Sequence, residues 1–311
     1  MDFMRSWMFV PGNSLRFIEK AFTLKNLDVA IFDIEDGVIP THKAVAREQI
    51  VAALKREKPA GAPTIFVRIN AVGTGADRID ADLATVIVPG LEGLIIPKVE
   101  DPADVHLVEA FLDKREKEVG IEPGHIKLAA AIESAKGLIK GPSIASSSPR
   151  LLGLLFGAED YALDLGLPSH RVEEARQLLY ARAAIVNAAA SAHIGSVDGV
   201  WPDIQDLEGC ERDTIQARRL GFTGKSTFHP GQIDLINKAF TPSAAEIDYA
   251  TRVVASFDAA VARGDGAVAF GGQLLDLPII ERAKRVLRVH ETLAAGAPKG
   301  IARLLGDGVL E

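Results

Sequence analysis

Apolar and polar positions follow a repeating pattern along this chain. Eight short apolar segments recur: WMFVPG from Trp7, DVAIFDIED from Asp28, TIFVRIN from Thr64, GLIIPKVE from Gly93, KLAAAIES from Lys127, LGLLFGAED from Leu152, VDGVWPD from Val197 and TGKSTFHP from Thr223. Each is apolar on its N-terminal side and ends in polar, glycine or proline residues. That is the pattern of strands buried on both faces. Stretches with helical spacing lie between them. SLRFIEKAFTL follows the first strand, and HKAVAREQIVAALKRE the second. DPADVHLVEAFLDKREKEVG carries a start signal at Asp101–Pro102 and a stop at Gly120. RVEEARQLLYARAAIVNAAASAHIG reads as one long helix closed by Gly195.

Strands alternating with helices imply a parallel sheet with helical crossovers. Eight repeats predict a closed (β/α)₈ TIM barrel over residues 1–238. The pattern then changes. TPSAAEIDYATRVVASFDAAVARGDG predicts a helix from near Pro242, with a turn at Gly264–Asp265–Gly266. AVAFGGQLLDLP is glycine-rich and extended, and PIIERAKRVLRVHETL predicts a second helix with Pro278 in its first turn. Residues 239–311 therefore form a C-terminal helical extension, expected as a cap over the barrel or an arm to a neighbouring subunit.

Composition narrows the function classes. The 311 residues carry a formal net charge of −7 without a Lys/Arg block, which argues against a nucleic-acid partner. The single cysteine, Cys210, excludes an intrachain disulfide and a Cys-rich metal site and suits a reducing compartment. The N-terminal apolar run is too short for a signal peptide, and no segment approaches the roughly 20 apolar residues that span a bilayer. The expectation is a soluble cytoplasmic protein without a membrane partner.

Active sites of parallel barrels form at the C-terminal ends of the strands. The polar residues there are Asp33, Glu35 and Asp36 after the second strand, Arg68 on the third and Lys98 after the fourth. Glu133 follows the fifth, Glu159 and Asp160 the sixth, and His229 the eighth. Glu133 and Asp160 end adjacent strands, which lie roughly 4.8 Å apart. Carboxylates that converge repel unless one is protonated or a cation lies between them. Two such oxygens, completed by water and substrate, suit Mg²⁺. The competing reading makes these acids solvated loop starts or helix caps. It is stronger for Glu35 and Asp36, since acids before a helix are common caps. Lys98 reads as the partner of a rim acid, and His229 as the close of the last strand. Arg68, inside an apolar strand, needs anions around it and so faces the acidic rim.

Two motifs are decoys. GKST at Gly224 lacks the first glycine of a P-loop, since Arg219 stands there, and no helix pattern follows. GTGADR from Gly73 lacks the third glycine of a dinucleotide fingerprint. No G-x-S-x-G or Ser/His/Asp signature is present.

The motifs RSWMFVPGNSLRFIEKA, IFDIEDGVIPTHKAVAR, VRIN, IIPKVE, AAIESAKGL, LLFGAEDYALDLG and GKSTFHPGQI, in this order, resemble the citrate lyase beta-subunit-like family. That family includes malyl-CoA, citramalyl-CoA and citryl-thioester lyases. The resemblance runs from about Arg5 into the tail, where GGQLLDLPIIERAKRVL is similar to the family's lid segment. It implies a Mg²⁺-dependent carbon–carbon lyase on a barrel, acting on an acyl-CoA or acyl-carrier thioester, with a possible thioesterase variant. Glu133 and Asp160 match the metal ligands, and Arg68 the arginine that faces the thioester and keto-acid oxygens. Asp276 matches an acid contributed across the interface of a homotrimer. Arg16, Lys20 and Lys43 fall where relatives place cations for CoA. The backbone of Ala158, Glu159 and Asp160 would meet the substrate carboxylate. Glu35 is expected in the catalytic set and Asp36 in the substrate-binding set. DIEDGV departs from the family's D-L-E-D-A-V at Ile34 and Gly37. A class II pyruvate aldolase and a non-catalytic thioester-binding subunit of a carrier-protein complex are the rival readings.

Overall fold

All eight apolar segments enter one closed parallel barrel in the computed structural model, which describes residues 4–73, 76–168, 173–263 and 268–295. The strands are β1 (Ser6–Pro11), β2 (Val29–Asp33), β3 (Thr64–Arg68), β4 (Gly93–Ile96), β5 (Lys127–Ile132), β6 (Leu151–Phe156), β7 (Gly195–Asp198) and β8 (Gly224–Thr227). Each pairs in parallel with the next, and β1 closes on β8 through the registers Ser6–Lys225, Trp7–Ser226 and Met8–Thr227.

Strand residues alternate between the barrel interior and the helical layer. The interior set includes Trp7, Val29, Ile31, Phe66, Ile95, Ala129, Ala131, Leu155 and Val197. Large and small residues interlock there. A Cβ at Gly93 would sit 2.2 Å from the Phe66 ring, so the glycine makes room for the phenylalanine. The helix Pro102–Val119 begins with a capping box on Asp101 and Asp104 and ends at Gly120, with φ +74°, as its sequence signals predict.

One predicted helix divides. Residues 171 and 172 lie outside the described ones; a 3-10 turn covers Glu173–Leu178, and the α-helix runs only from Leu179 to Ser191. Gly195 is not its cap but the first residue of β7, facing Gly153 of β6. His193 takes the left-handed position instead, at φ +56°. Its N–H donates to Ala190, and the Ile194 N–H donates to Ala189, the two bonds of a Schellman end.

The chain divides into two compact units, one running to Lys238 and the other starting at Ala239. Within the second, the helices Ala244–Arg263 and Leu277–Ala294 flank an antiparallel hairpin of β9 (Val268–Phe270) and β10 (Gln273–Leu275). Gly271 and Gly272, at φ +57° and +82°, form its two-residue turn, a geometry that favours glycine at both positions. Ala250, Val253, Leu275, Ile280 and Ala283 give this unit its own core. The turn expected at Gly264–Asp265–Gly266 and residues 296–311 lie outside the described residues. Among the described residues, no helix is long and apolar enough to cross a membrane.

Candidate active site and metal centre

The rim is built outward from Asp33, the last residue of β2, which sits in register with Arg68 of β3. Arg68 Nε and Nη2 donate to the two Asp33 oxygens, both at 2.7 Å. The same carboxylate accepts from the N–H groups of Glu35 and Gly37, both at 2.9 Å, and so shapes the loop after β2. Gly37 is required for this, because a Cβ would lie 2.3 Å from Asp33 Oδ2.

Arg68 also pairs with Glu35 at 3.2 Å, and its guanidinium lies 4.7 Å above the Phe9 ring. Burial disfavours its charge, but Asp33, Glu35 and Glu133 outweigh that and hold its pKa above the ordinary value. Lys98 reaches Glu35 at 2.8 Å and Asp36 at 2.7 Å. Its backbone stands in the left-handed region at φ +52°, uncommon for a side chain of this size and typical of functional loops. The Lys98 N–H donates to Glu133 Oε1 at 3.3 Å. Burial raises the pKa of Glu35 despite Arg68 and Lys98. Asp36, less enclosed, is also pushed up by burial, but Lys98 wins and holds it below its ordinary value.

Glu133 follows β5 and is 5 % exposed. Its carboxylate lies against the backbone of Gly157, where a Cβ would be 2.4 Å from Glu133 Cγ. No donor among the described residues reaches its buried Oε2. Asp160, in the first turn of the helix Ala158–Asp164, lies within hydrogen-bonding reach of the Glu133 carboxylate. Burial, and then Asp160, push the Glu133 pKa up to about 8. Two apposed carboxylates, one with an orphaned oxygen, are satisfied only by a shared proton or a cation. Among the described residues, no group of three or more His, Cys, Asp or Glu is arranged for a metal. The donor set is therefore two hard oxygens, suited to a cation that keeps several ligands from water and substrate.

These groups line one pocket. Arg68, Glu133, Glu159 and Asp160 are on its polar side; Phe9, Ile95, Ala131, Leu155, Val200 and Phe228 are on its apolar side, with Ser226 from β8. Ala158 is buried in the lining, and Glu159 is exposed at its edge.

Other expected site residues lie elsewhere. Lys43 is turned inward: its ammonium donates to the Glu35 carbonyl at 3.2 Å and to the Asn70 side chain. Asn70 is held in turn by Asp82, which also pairs with Arg47 at 2.8 Å. A buried ammonium with these contacts braces the loop after β2 and is withdrawn from any external phosphate, which corrects its sequence assignment. Arg16 and Lys20 are exposed, four residues apart on the helix Leu15–Phe22, and therefore on one face of it. His229 is the N-cap of the 3-10 turn Pro230–Gln232, its Nδ1 accepting from the Gly231 N–H at 3.1 Å. In the second unit Asp276 is the N-cap of the helix Leu277–Ala294, accepting from the Ile279 N–H at 3.2 Å.

Sequence reasoning missed Phe9, Phe228 and Ser226. The period-two alternation of β1 and β8 carries the signal, since Trp7 and Phe9 share one face, as do Ser226 and Phe228. It also missed the buried ion cluster behind β7 and β8. There Lys225 Nζ meets Asp198, Asp213 and the Gly199 carbonyl, all at 2.6 Å, and Arg182 pairs with both acids. Among the described residues, two cations face two anions and clamp these strands to their helices. It gives the lysine of the GKST decoy a structural role.

Fold and site define a (β/α)₈ barrel with a two-carboxylate centre beside a clamped arginine. Residues 5–230 match the HpcH/HpaI aldolase/citrate lyase family. The chain is 36 % identical over 285 residues to the citrate lyase subunit beta of Leuconostoc mesenteroides subsp. cremoris, covering 92 % of each chain. It is 34 % identical over 307 residues to the L-malyl-CoA/beta-methylmalyl-CoA lyase of Cereibacter sphaeroides, covering 94 % of this chain and 96 % of the relative. Among solved structures, CitE from Mycobacterium tuberculosis in complex with magnesium, acetoacetate and coenzyme A superposes with a TM-score of 0.74 at 29 % identity, covering 92 % of this chain and 98 % of that one. The chain belongs to the HpcH/HpaI aldolase/citrate lyase family.

Proposed function

We propose that the protein is a Mg²⁺-dependent carbon–carbon lyase that cleaves a β-hydroxyacyl thioester reversibly to a keto acid and an acetyl thioester. The observation that carries this reading is the Glu133–Asp160 pair, with its orphaned buried oxygen, in one pocket with Arg68. The named relatives are lyases of this kind, and the magnesium and coenzyme A bound to the M. tuberculosis protein support the same cofactor and a thioester substrate.

Glu133 and Asp160 would hold the Mg²⁺. Bound there, it supplies Lewis-acid polarisation of the substrate oxygens. The remaining work falls to the chain. In cleavage a base takes the hydroxyl proton, the oxygen forms the keto group, and the electrons of the broken C–C bond move onto the thioester carbonyl. Arg68 meets the negative charge that develops there. Its two bonds to Asp33 fix the guanidinium in advance, so little reorganisation is needed as the charge grows. Glu35 holds Arg68 and Lys98 in place from behind. Asp276, supplied by a neighbouring copy in a homotrimer, protonates the enolate carbon and takes a methyl proton in the reverse direction. The backbone N–H groups of Ala158, Glu159 and Asp160 face the substrate carboxylate. Arg16 and Lys20, exposed on one helix face, receive the phosphates of CoA. A single cysteine, which forms no intrachain disulfide, supports a reducing compartment such as the cytoplasm.

The test is a panel of malyl-, citramalyl- and citryl-CoA with and without Mg²⁺, assayed for keto acid and free thiol. Keto acid should appear only with Mg²⁺, and Glu133→Ala should abolish it. Release of thiol without keto acid would instead reveal a thioesterase. Absence of both products from every thioester would sink the assignment.

A further inference from the structure

We infer that the keto acid handled by this site carries a single carboxylate and a small apolar substituent, hydrogen or methyl, rather than a second carboxylate. The inference rests on the lyase reading above and narrows its substrate class. Arg68 is the one cation that lines the pocket among the described residues, and it is already committed to Asp33 and Glu35. Lys98, the next cation on the rim, does not line the pocket and is held by Glu35 and Asp36.

The rest of the lining decides where a substituent can go. Phe9, Ile95, Ala131, Leu155 and Phe228 form an apolar wall, and Phe9 and Phe228 pack at 5.5 Å between ring centroids. Among the described residues, the one uncharged polar side chain in the lining is Ser226 of β8, itself 4 % exposed. One hydroxyl is a single neutral donor. It can orient a carbonyl or a water, but it does not neutralise a carboxylate. A substituent that ends in a second carboxylate would meet this wall stripped of water and without a counter-ion, a costly burial. Methyl or hydrogen meets it at no such cost. The wall is therefore matched to 2-oxo monocarboxylates such as glyoxylate and pyruvate and mismatched to a 2-oxo dicarboxylate such as oxaloacetate.

Ser226 is the position at which the preference can be rewritten. Its place on β8 points it into the same lining as Phe228, so Ser226→Arg would put a second cation in the apolar part of the pocket.

The experiment has a binding arm and a turnover arm. Isothermal titration of the full-length protein in Mg²⁺ with pyruvate, glyoxylate and oxaloacetate should rank oxaloacetate weakest by at least about 10-fold, the scale expected for a carboxylate without a partner. Condensation of each acid with acetyl-CoA should give the same order in kcat/KM. Ser226→Arg should narrow or invert the ranking while Mg²⁺ binding stays unchanged, whereas Ser226→Ala should leave oxaloacetate weakest. Oxaloacetate binding as tightly as pyruvate to the wild type would overturn the inference. So would a Ser226→Arg variant that folds, by circular dichroism, and leaves the ranking unmoved. If no acid condenses but the titration still ranks them as expected, the lyase reading fails and the inference about the pocket stands.

Discussion

Glu133 should destabilise the metal-free protein, by an amount that depends on pH. Its pKa is raised from the ordinary 4.5 to about 8, chiefly by burial and then by Asp160. Below pH 4.5 both the folded and unfolded chains hold the proton, and the residue is neutral in the balance. Between 4.5 and 8 the unfolded chain releases the proton while the folded chain keeps it, so stability falls as pH rises. Above 8 both are ionised and the loss is complete. At about 1.36 kcal/mol for each tenfold step, the loss is roughly 3 kcal/mol at pH 7 and about 5 kcal/mol above pH 8. That is a large share of a typical stability of about 5–15 kcal/mol. Glu133→Gln keeps the volume, cannot ionise, and gives Asp160 a donor. Urea unfolding in EDTA at pH 5, 7 and 8.5 reads the difference. The variant should match the wild type near pH 5 and exceed it by a growing margin at pH 7 and 8.5, while losing activity. Mg²⁺ at about 100 times its Kd should restore about 2.7 kcal/mol to the wild type and nothing to the variant. A margin that does not grow with pH, or a wild type more stable than the variant at pH 8.5 in EDTA, would refute the reasoning.

Four further outcomes follow from the same geometry. Arg68→Lys keeps the charge but loses the two-pronged bond to Asp33, so turnover should fall on the order of 10²–10³-fold; near wild-type kcat would remove Arg68 from the chemistry. Gly157→Ala puts a methyl 2.4 Å from Glu133 Cγ and should weaken Mg²⁺ binding by at least about tenfold, read by titration, with the barrel intact by circular dichroism. Lys43→Gln should lower the melting temperature and leave KM for the thioester unchanged, whereas Arg16→Ala should raise KM and leave melting unchanged; the opposite pattern would return Lys43 to the CoA site. Mixing Asp276→Asn with Glu133→Ala protein after dissociation and reassembly should recover activity that neither has alone; no recovery despite verified subunit exchange would mean that Asp276 does not serve a neighbour.

The barrel strands were legible because a parallel strand buried on both faces leaves an uninterrupted apolar run, and the acids at its end stand out against it. Glu133, Asp160 and Arg68 could therefore be named from the sequence, and the structure brings them into one pocket. What was not legible depends on contacts between distant segments. Lys43 looks like any surface lysine at the start of a helix until Asn70, anchored by Asp82, fixes its amine inside the loop. The end of the helix Leu179–Ser191 went to His193 rather than Gly195, which instead opens β7 opposite Gly153. A left-handed histidine leaves no compositional mark. The missed aromatic wall of Phe9 and Phe228 was a failure to apply the strand period where it matters, at the inward end of β1 and one residue past β8.

Gly37 and Gly157 connect these levels. Neither has positive φ; each is glycine because a carboxylate occupies the space of its Cβ, Asp33 in one case and Glu133 in the other. Side-chain oxygens packed that closely against backbone are withdrawn from water, and withdrawal raises the cost of their charge. For Asp33 the cost is met inside the protein by Arg68. For Glu133 it is not, since Oε2 has no donor among the described residues. The two acids thus begin from the same kind of backbone cradle and diverge in what bonds them: Asp33 is held by Arg68 and two backbone N–H groups, whereas Glu133 faces Asp160 and keeps one oxygen without a donor among the described residues. The acid with a cation orients the arginine; the acid without one is left to bind what the solvent and substrate bring.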